Sequence, residues 1–162
     1  MNIFKLDESP VVSAQQVCDS HCIKMILESA QMLCSVQPEG TAPYKRAFYN
    51  HPCTKWVRES SANYDWLLRH AYALCAEYSR RYTKKDGKAK VHKTLAVIEW
   101  CDENRPELPD IGLTEHPKCM PDYCKTESIV ESYRNYYMKE KSHLAYWRKM
   151  DAPEWFIMEE SA

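Results

Sequence analysis

Apolar residues return every three or four positions along much of this chain, which is the period of an α-helix with one buried face. The first such stretch runs from Ser13, a residue type suited to capping a helix, to Val36. Its apolar stripe is Ile23, Ile26, Leu27, Ala30, Leu33 and Cys34. A second helical region starts near Thr54 and continues to Tyr82 through Trp56, Tyr64, Leu67, Leu68, Ala71, Leu74, Cys75 and Tyr78. A third is predicted over Val91–Asp102, with Leu95, Ile98 and Trp100 facing inward. A last helix is predicted over Thr126–Lys149, capped by Thr126, with Ile129, Tyr133, Tyr136, Tyr137, Leu144 and Trp147 on its apolar side.

The intervals between these stretches read as connections. Residues Met1–Leu6 alternate polar and apolar until Pro10 breaks the pattern, which predicts a short extended arm. Pro38, Gly40 and Pro43 mark a loop, and the polar segment around Gly87 marks another. Between Asn104 and Tyr123 four prolines predict an irregular segment, and the tail from Asp151 to Ala162 is acidic with one aromatic pair, Trp155-Phe156, expected to anchor it. The expectation is a single compact all-α domain over residues 1–162, with about four main helices.

Composition sharpens this picture. The chain has only three glycines, Gly40, Gly87 and Gly112. That is too few for the tight turns of an all-β sandwich, and their spacing leaves no glycine-rich phosphate loop. The formal net charge is −1, so tight non-specific binding along duplex DNA is not expected, although a local contact remains compatible with it. Arg80, Arg81, Lys84, Lys85, Lys88, Lys90 and Lys93 concentrate positive charge around one loop; Lys84, Lys85 and Lys88 are its candidate phosphate contacts. No apolar run is long enough for a membrane span. The sequence MNIFKLDESP lacks the basic-then-apolar order of a secretory leader, so a cytoplasmic location and reduced thiols are expected for the eight cysteines. Cys18-x₃-Cys22 and Cys119-x₄-Cys124 come near zinc-ligand spacing but match it poorly, so neither a metal nor another cofactor is expected.

Candidate chemistry lies on the first long helix. His21, Lys24, Glu28, Gln31 and Ser35 fall at offsets of three and four, which stacks them on one face. Much of the rest of that helix is apolar and expected to be buried, and polar groups on a buried helix need water, partners or a ligand. A solvated face with a Lys24–Glu28 ion pair is the plain alternative; a cleft lined by His21, Lys24 and Glu28 is the functional one.

The order of features then carries a resemblance. Asp19-x-His21, Glu28 seven residues after the histidine, Tyr49-Asn50-His51-Pro52, a long aromatic helix and Tyr133-Arg-Asn-Tyr-Tyr137 follow one another. This order resembles the pyrimidine-dimer DNA glycosylase family of the phage endonuclease V type. The Cys-Asp-x-His and Asn-His-Pro-Cys-Thr segments also resemble those of a group of phage proteins. The resemblance implies a nucleophile at the protein's own α-amino group, here that of Met1, because bulky Asn2 disfavours its removal. The amine attacks C1′ of a damaged nucleotide, forms an imine, and the strand is then cut by elimination. An α-amine ordinarily titrates near pH 7.7–8.0, well below a lysine, so it is the better nucleophile near neutrality. By the same resemblance Glu28 stabilises positive charge on the sugar and assists proton transfer, and His21 holds the lesion nucleotide or orients Glu28. Asn50 and His51 line the groove or contact phosphate, and Tyr136 and its aromatic neighbours pack on DNA or the flipped base. Asn2, Lys24 and Gln31 complete the expected contacts with substrate. Leu27 and Gln31 stand where the family carries arginines. The implied activity is a DNA glycosylase, with abasic-site lyase activity, on damaged or modified pyrimidines. The alternatives are an enzyme of the same fold acting on modified bases or free nucleotides, and a non-catalytic nucleic-acid or nucleotide-binding protein.

Overall fold

A computed structural model describes residues 1–158. Among these residues the fold is all-α, with six α-helices, two short 3₁₀ turns and no strand. The helices are α1 (Pro10–Gln16), α2 (Asp19–Ser35), α3 (Pro52–Glu59), α4 (Ser61–Arg81), α5 (Leu95–Glu103) and α6 (Ile129–Glu140). Helix α4 is the central element: α1, α2, α3 and α5 all pack against it. The predicted tail lies within the described residues only as far as Met158.

The helix boundaries differ from the periodic reading because capping, not periodicity, sets them. The first stretch is two helices. Ser9, just before Pro10, caps α1 by accepting from the Val12 N–H, while Val17 and Cys18 are extended and separate α1 from α2. Ser13 is therefore not a cap. Its buried hydroxyl donates to the Phe4 carbonyl (2.8 Å) and accepts from the Leu6 N–H (3.0 Å), which fastens the N-terminal arm to α1. The second stretch also divides: His51 caps α3 and Ser60 caps α4. Helix α5 starts at Leu95, not Val91. Ser128, not Thr126, caps α6, which ends at Glu140; Ser142–Leu144 is a 3₁₀ turn and the chain beyond it is irregular. Ile23 and Leu27, placed by period on the buried stripe, are exposed; Leu27 lines a surface hollow with Tyr44, Lys45 and Lys93.

One apolar core joins the arm, the helices and the C-terminal segment. Ile3, Phe4 and Leu6 of the arm are buried with Met25, Ile26 and Leu33 of α2, Leu67 and Leu74 of α4, and Tyr133 and Tyr137 of α6. Arg81 is also fully buried. Its guanidinium is met by Glu77 Oε2 (3.0 Å), Asp19 Oδ1 (3.2 Å) and the carbonyls of Val17 (2.8 Å) and Gln15 (3.1 Å). It thus locks the α1–α2 break onto α4 instead of contributing to the basic loop. Trp155 donates to Gln16 Oε1 and Phe156 packs edge-on against Trp147, so the described part of the tail is anchored. No helix among the described residues is long and apolar enough to cross a membrane.

Candidate active site

Helix α2 sets the floor of the candidate site. His21, Lys24 and Glu28 lie one and two turns apart on one of its faces, and Met25 sits between them. The arm runs over this face. Its burial at Ile3, Phe4 and Leu6 and the Ser13 fastening leave little freedom to the residues ahead of it. Asn2 is held on three sides: its amide donates to the Cys119 carbonyl (2.9 Å), and its Oδ1 accepts from the Ile3 N–H (2.8 Å) and the Tyr133 hydroxyl (2.8 Å). The Met1 side chain is buried, with its sulfur accepting from the Thr54 hydroxyl (3.7 Å).

This anchoring brings the Met1 α-amino group to 3.2 Å from Glu28 Oε1. The second carboxylate oxygen, Glu28 Oε2, is buried and has no hydrogen-bond partner among the described residues. A buried acceptor left unpaired costs free energy, roughly 1–3 kcal/mol, so its persistence points to a group that arrives from outside. Beside the pair lies a cavity of about 160 Å³, lined by Met1, Asn2, Phe4, His21, Lys24, Glu28, Tyr136 and Lys141.

His21 stacks on Phe4 with ring centroids 4.2 Å apart and 14° between planes. Its Nδ1 is hydrogen-bonded to the Tyr137 hydroxyl. Burial, aided by the charges of Lys141, Lys24 and His143, pushes the imidazole down to about 4, so it is neutral near pH 7. Tyr137 is fully buried and its own ionisation is pushed far up by burial, so it carries its proton. The Tyr137 oxygen accepts from the Cys18 N–H (3.4 Å), and its hydroxyl faces the Cys18 sulfur (3.7 Å) as well as His21 Nδ1.

The remaining sequence candidates fall into three groups. Tyr136 lines the cavity; it stacks on Phe4 (6.2 Å) and carries the Lys141 ammonium over its ring (5.0 Å). His51 caps α3, its Nδ1 accepting from the Cys53 N–H (3.1 Å), and Asn50 is exposed beside it. Burial and the α-ammonium both lower the His51 pKa, and the Glu28 carboxylate partly opposes them; the ring itself does not line the cavity. Gln31 is not in the cavity: it lines a neighbouring surface hollow with Leu27, Tyr44, Lys45 and Lys93. Lys84, Lys85 and Lys88 are exposed on a tight turn closed by the Thr83–Ala89 bridge, away from the residues that line the cavity. Two participants escaped the sequence reading. Tyr137 is expected there on the apolar side of the last helix and among the aromatic residues near DNA, not as a partner of His21, and Lys141 is not singled out; both are brought to α2 across more than a hundred residues, for which the sequence holds no local signal.

The cysteines make no disulfide among the described residues, and all but Cys119 are buried. Cys34 and Cys101, and Cys53 and Cys119, lie as thiol pairs with sulfurs 3.7 Å apart.

A helical domain that presents an α-amine and a buried carboxylate in a cavity lined by cations and aromatic rings is equipped for amine-dependent chemistry on an anionic, ring-bearing substrate. The chain belongs to the pyrimidine dimer DNA glycosylase family, whose model matches residues 1–90. Membership brings a DNA-glycosylase-type function with DNA as substrate. No curated protein and no solved structure matches the chain. The matched stretch ends before α5, so Tyr136, Tyr137 and Lys141 are contributed from outside it.

Proposed function

We propose that the protein is a DNA glycosylase with abasic-site lyase activity, acting as one domain on damaged pyrimidines through the Met1 α-amine and Glu28. The observation that carries this reading is the 3.2 Å approach of that amine to a carboxylate whose other oxygen is buried, unpartnered among the described residues and next to a cavity. Glu28 accepts a proton from the α-ammonium and frees its lone pair. The amine nitrogen forms a bond to C1′; the glycosidic C1′–N bond breaks, and its electron pair leaves with the base, which is then protonated. Opening of the C1′–O4′ bond gives the imine, loss of a 2′ proton follows, and the 3′ phosphate departs. Glu28, the only carboxylate lining the cavity among the described residues, stabilises the cationic sugar and relays these protons.

The other groups have separable tasks. Neutral His21, held by Tyr137 and stacked on Phe4, orients the site and is not the acid of the reaction. Lys24 and Lys141 offer cations to a phosphate or a base carbonyl, and Tyr136 offers a ring face to the extruded base. Asn2 holds the amine in place by its anchoring contacts. The acting location is the cytoplasm.

Borohydride trapping on duplex DNA containing a thymine dimer or an abasic site tests this. A covalent adduct should form with the intact chain and vanish when the α-amine is acetylated. It should also vanish when one residue is added ahead of Met1, which moves the amine by about 3.8 Å. Adduct formation that survives both changes would transfer the chemistry to a lysine and sink the assignment.

A further inference from the structure

Two cysteines beside the Met1 anchor take no part in the proposed chemistry. Cys53 stands in the first turn of α3 and is fully buried, whereas Cys119 stands in the irregular segment ahead of α6 and is half-buried. Their sulfurs are 3.7 Å apart. Both residues are tied to Asn2. The Cys53 thiol donates to Asn2 Oδ1 (3.9 Å), and the Cys119 carbonyl accepts from the Asn2 amide (2.9 Å). Thr54, next to Cys53, donates to the Met1 sulfur (3.7 Å). The thiol pair, the side chain that holds the α-amine and the Met1 side chain therefore form one cluster of contacts.

The two thiols have unlike surroundings. Hydrogen bonding from Cys53, together with the Tyr133 hydroxyl and the charges of Lys125 and the α-ammonium, holds the Cys119 thiol below the usual thiol range against the opposing effect of burial. The hydrogen bond to Cys119 and burial push the Cys53 thiol far up, so it keeps its proton. The half-buried member is thus the nucleophile, and the buried member stands ready to resolve what forms on it. Cys34 and Cys101 lie at the same 3.7 Å separation, but both are buried within helices, so neither meets an oxidant from solvent. A disulfide between Cys53 and Cys119 needs the sulfurs at about 2.05 Å, which draws them together by roughly 1.7 Å. Cys53 is fixed in a helix and Cys119 is not, so the movement falls on the segment of Cys119 and carries the Asn2 amide with it.

We infer that Cys53 and Cys119 are a redox site that closes to a reversible disulfide on exposure to hydrogen peroxide, and that this bond withdraws the Met1 amine from Glu28 by displacing Asn2. The Cys119 thiolate attacks one peroxide oxygen; the O–O bond breaks, hydroxide leaves and Cys119 becomes a sulfenic acid. The Cys53 thiol attacks that sulfur, its proton goes to the departing hydroxyl, and water leaves as the S–S bond forms. The two sulfurs together give up two electrons and the peroxide takes them. A thiol reductant reverses the change. The bond itself stands on the two sulfurs alone, whereas its effect on the reaction rests on the glycosylase reading. A misplacement of about 1 Å at a reacting group slows a reaction by about 10²-fold, so a bond formed outside the cavity is enough to silence the amine.

The test uses the full chain, reduced and then titrated with hydrogen peroxide. Peptide mapping after alkylation of the remaining thiols should find Cys53 joined to Cys119 while Cys34 and Cys101 are still alkylated. Trapping on abasic-site DNA with cyanoborohydride, which leaves disulfides intact, should slow about tenfold or more after oxidation and recover with dithiothreitol. Methionine-methyl NMR supplies a readout that needs no activity: the Met1 resonance should move on oxidation, and that of buried Met32 should not. Cys119→Ser and Cys53→Ser should each abolish both responses, judged against the same variant before oxidation. Cys119 driven to a sulfinic acid without a cross-link, or Cys34 and Cys101 bonded first, overturns the redox site. A Cys53–Cys119 bond that leaves the Met1 methyl unmoved, or leaves the trapping rate of an active chain unchanged, overturns its effect on the amine. Should the bond form and move the Met1 methyl while the reduced chain traps no DNA, the redox site stands and the glycosylase reading falls. Should the reduced chain trap DNA while no bond forms, the glycosylase reading stands and the redox site falls.

Discussion

Three buried histidines tie the stability of this protein to pH. Burial holds His21 and His70 down to about 4 and His116 down to about 3, against an ordinary 6.5. In each, the folded state binds protons more weakly than the unfolded chain does. Stability is therefore fully present above about pH 6.5 and declines as pH falls toward the folded values, by up to about 3 kcal/mol each for His21 and His70 and about 5 kcal/mol for His116. Urea midpoints measured between about pH 7 and pH 4.5 should drop steeply, and a flat profile would contradict neutral burial of these rings. The activity profile should lack an acid limb from His21 near 6.5, since that ring is already neutral there. Glu28 is expected to behave differently. Glu28→Gln keeps the shape of the cavity floor but removes the acceptor for the α-ammonium proton, and single-turnover strand cleavage should slow by about 10²–10⁴-fold while DNA binding persists.

At the scale of elements, the arm is as much part of the site as α2, because it delivers the amine. Ser13 on α1 satisfies a buried carbonyl and a buried N–H of that arm. Ser13→Ala should cost about 0.5–1.5 kcal/mol of stability, because the Leu6 N–H and the Phe4 carbonyl keep their own bond (3.1 Å) but lose the hydroxyl that ties them to α1, and it should lower the rate of imine formation because the amine loses its fixed approach to Glu28. Chemical denaturation and borohydride trapping measure the two effects separately. Arg81→Met should cost more, about 3–5 kcal/mol, since Asp19 and the carbonyls of Val17 and Gln15 lose the buried guanidinium they face, while Glu77 keeps only Arg80 (2.7 Å). These contacts also show why sequence reading located α2 and its polar face but misjudged its start. The period of apolar residues runs through Val17 and Cys18 without interruption, whereas Ser9-Pro10 capping sets an earlier start and the extended break at Val17 is held by an arginine that arrives from α4. Ser9-Pro10, His51-Pro52 and Ser128 carry readable capping signals that periodicity alone overrides. The pairing of Glu28 with the chain's first nitrogen was accessible only through family resemblance, and the Tyr137–His21 bond was not accessible locally at all.

The whole molecule has to bind a polyanion with a formal charge of −1, so its cations must be arranged rather than abundant. Among the described residues, several of them stand at the cavity and at the hollow beside it. Lys24 and Lys141 line the cavity, Lys45 and Lys93 line the adjacent hollow, and Arg46 and Arg58 clamp Tyr49. Carboxylates elsewhere are partly spent on internal pairs such as Glu77 with Arg81 and Asp65 with Arg105. Such a surface makes a few phosphate contacts and no continuous track. With about four contacts, the logarithm of the association constant should fall with the logarithm of salt concentration at a slope of about −3 to −4. Replacing Lys45 and Lys93 together by glutamine should flatten that slope by about 2 and weaken binding evenly across DNA sequences, because phosphate contacts carry no sequence information. The same double change at Lys84 and Lys85 should alter the slope much less, since that turn does not border the cavity. Fluorescence anisotropy over a salt series distinguishes these outcomes. A larger effect from the Lys84–Lys85 turn would move the DNA path to the other basic surface and away from the Met1–Glu28 pair.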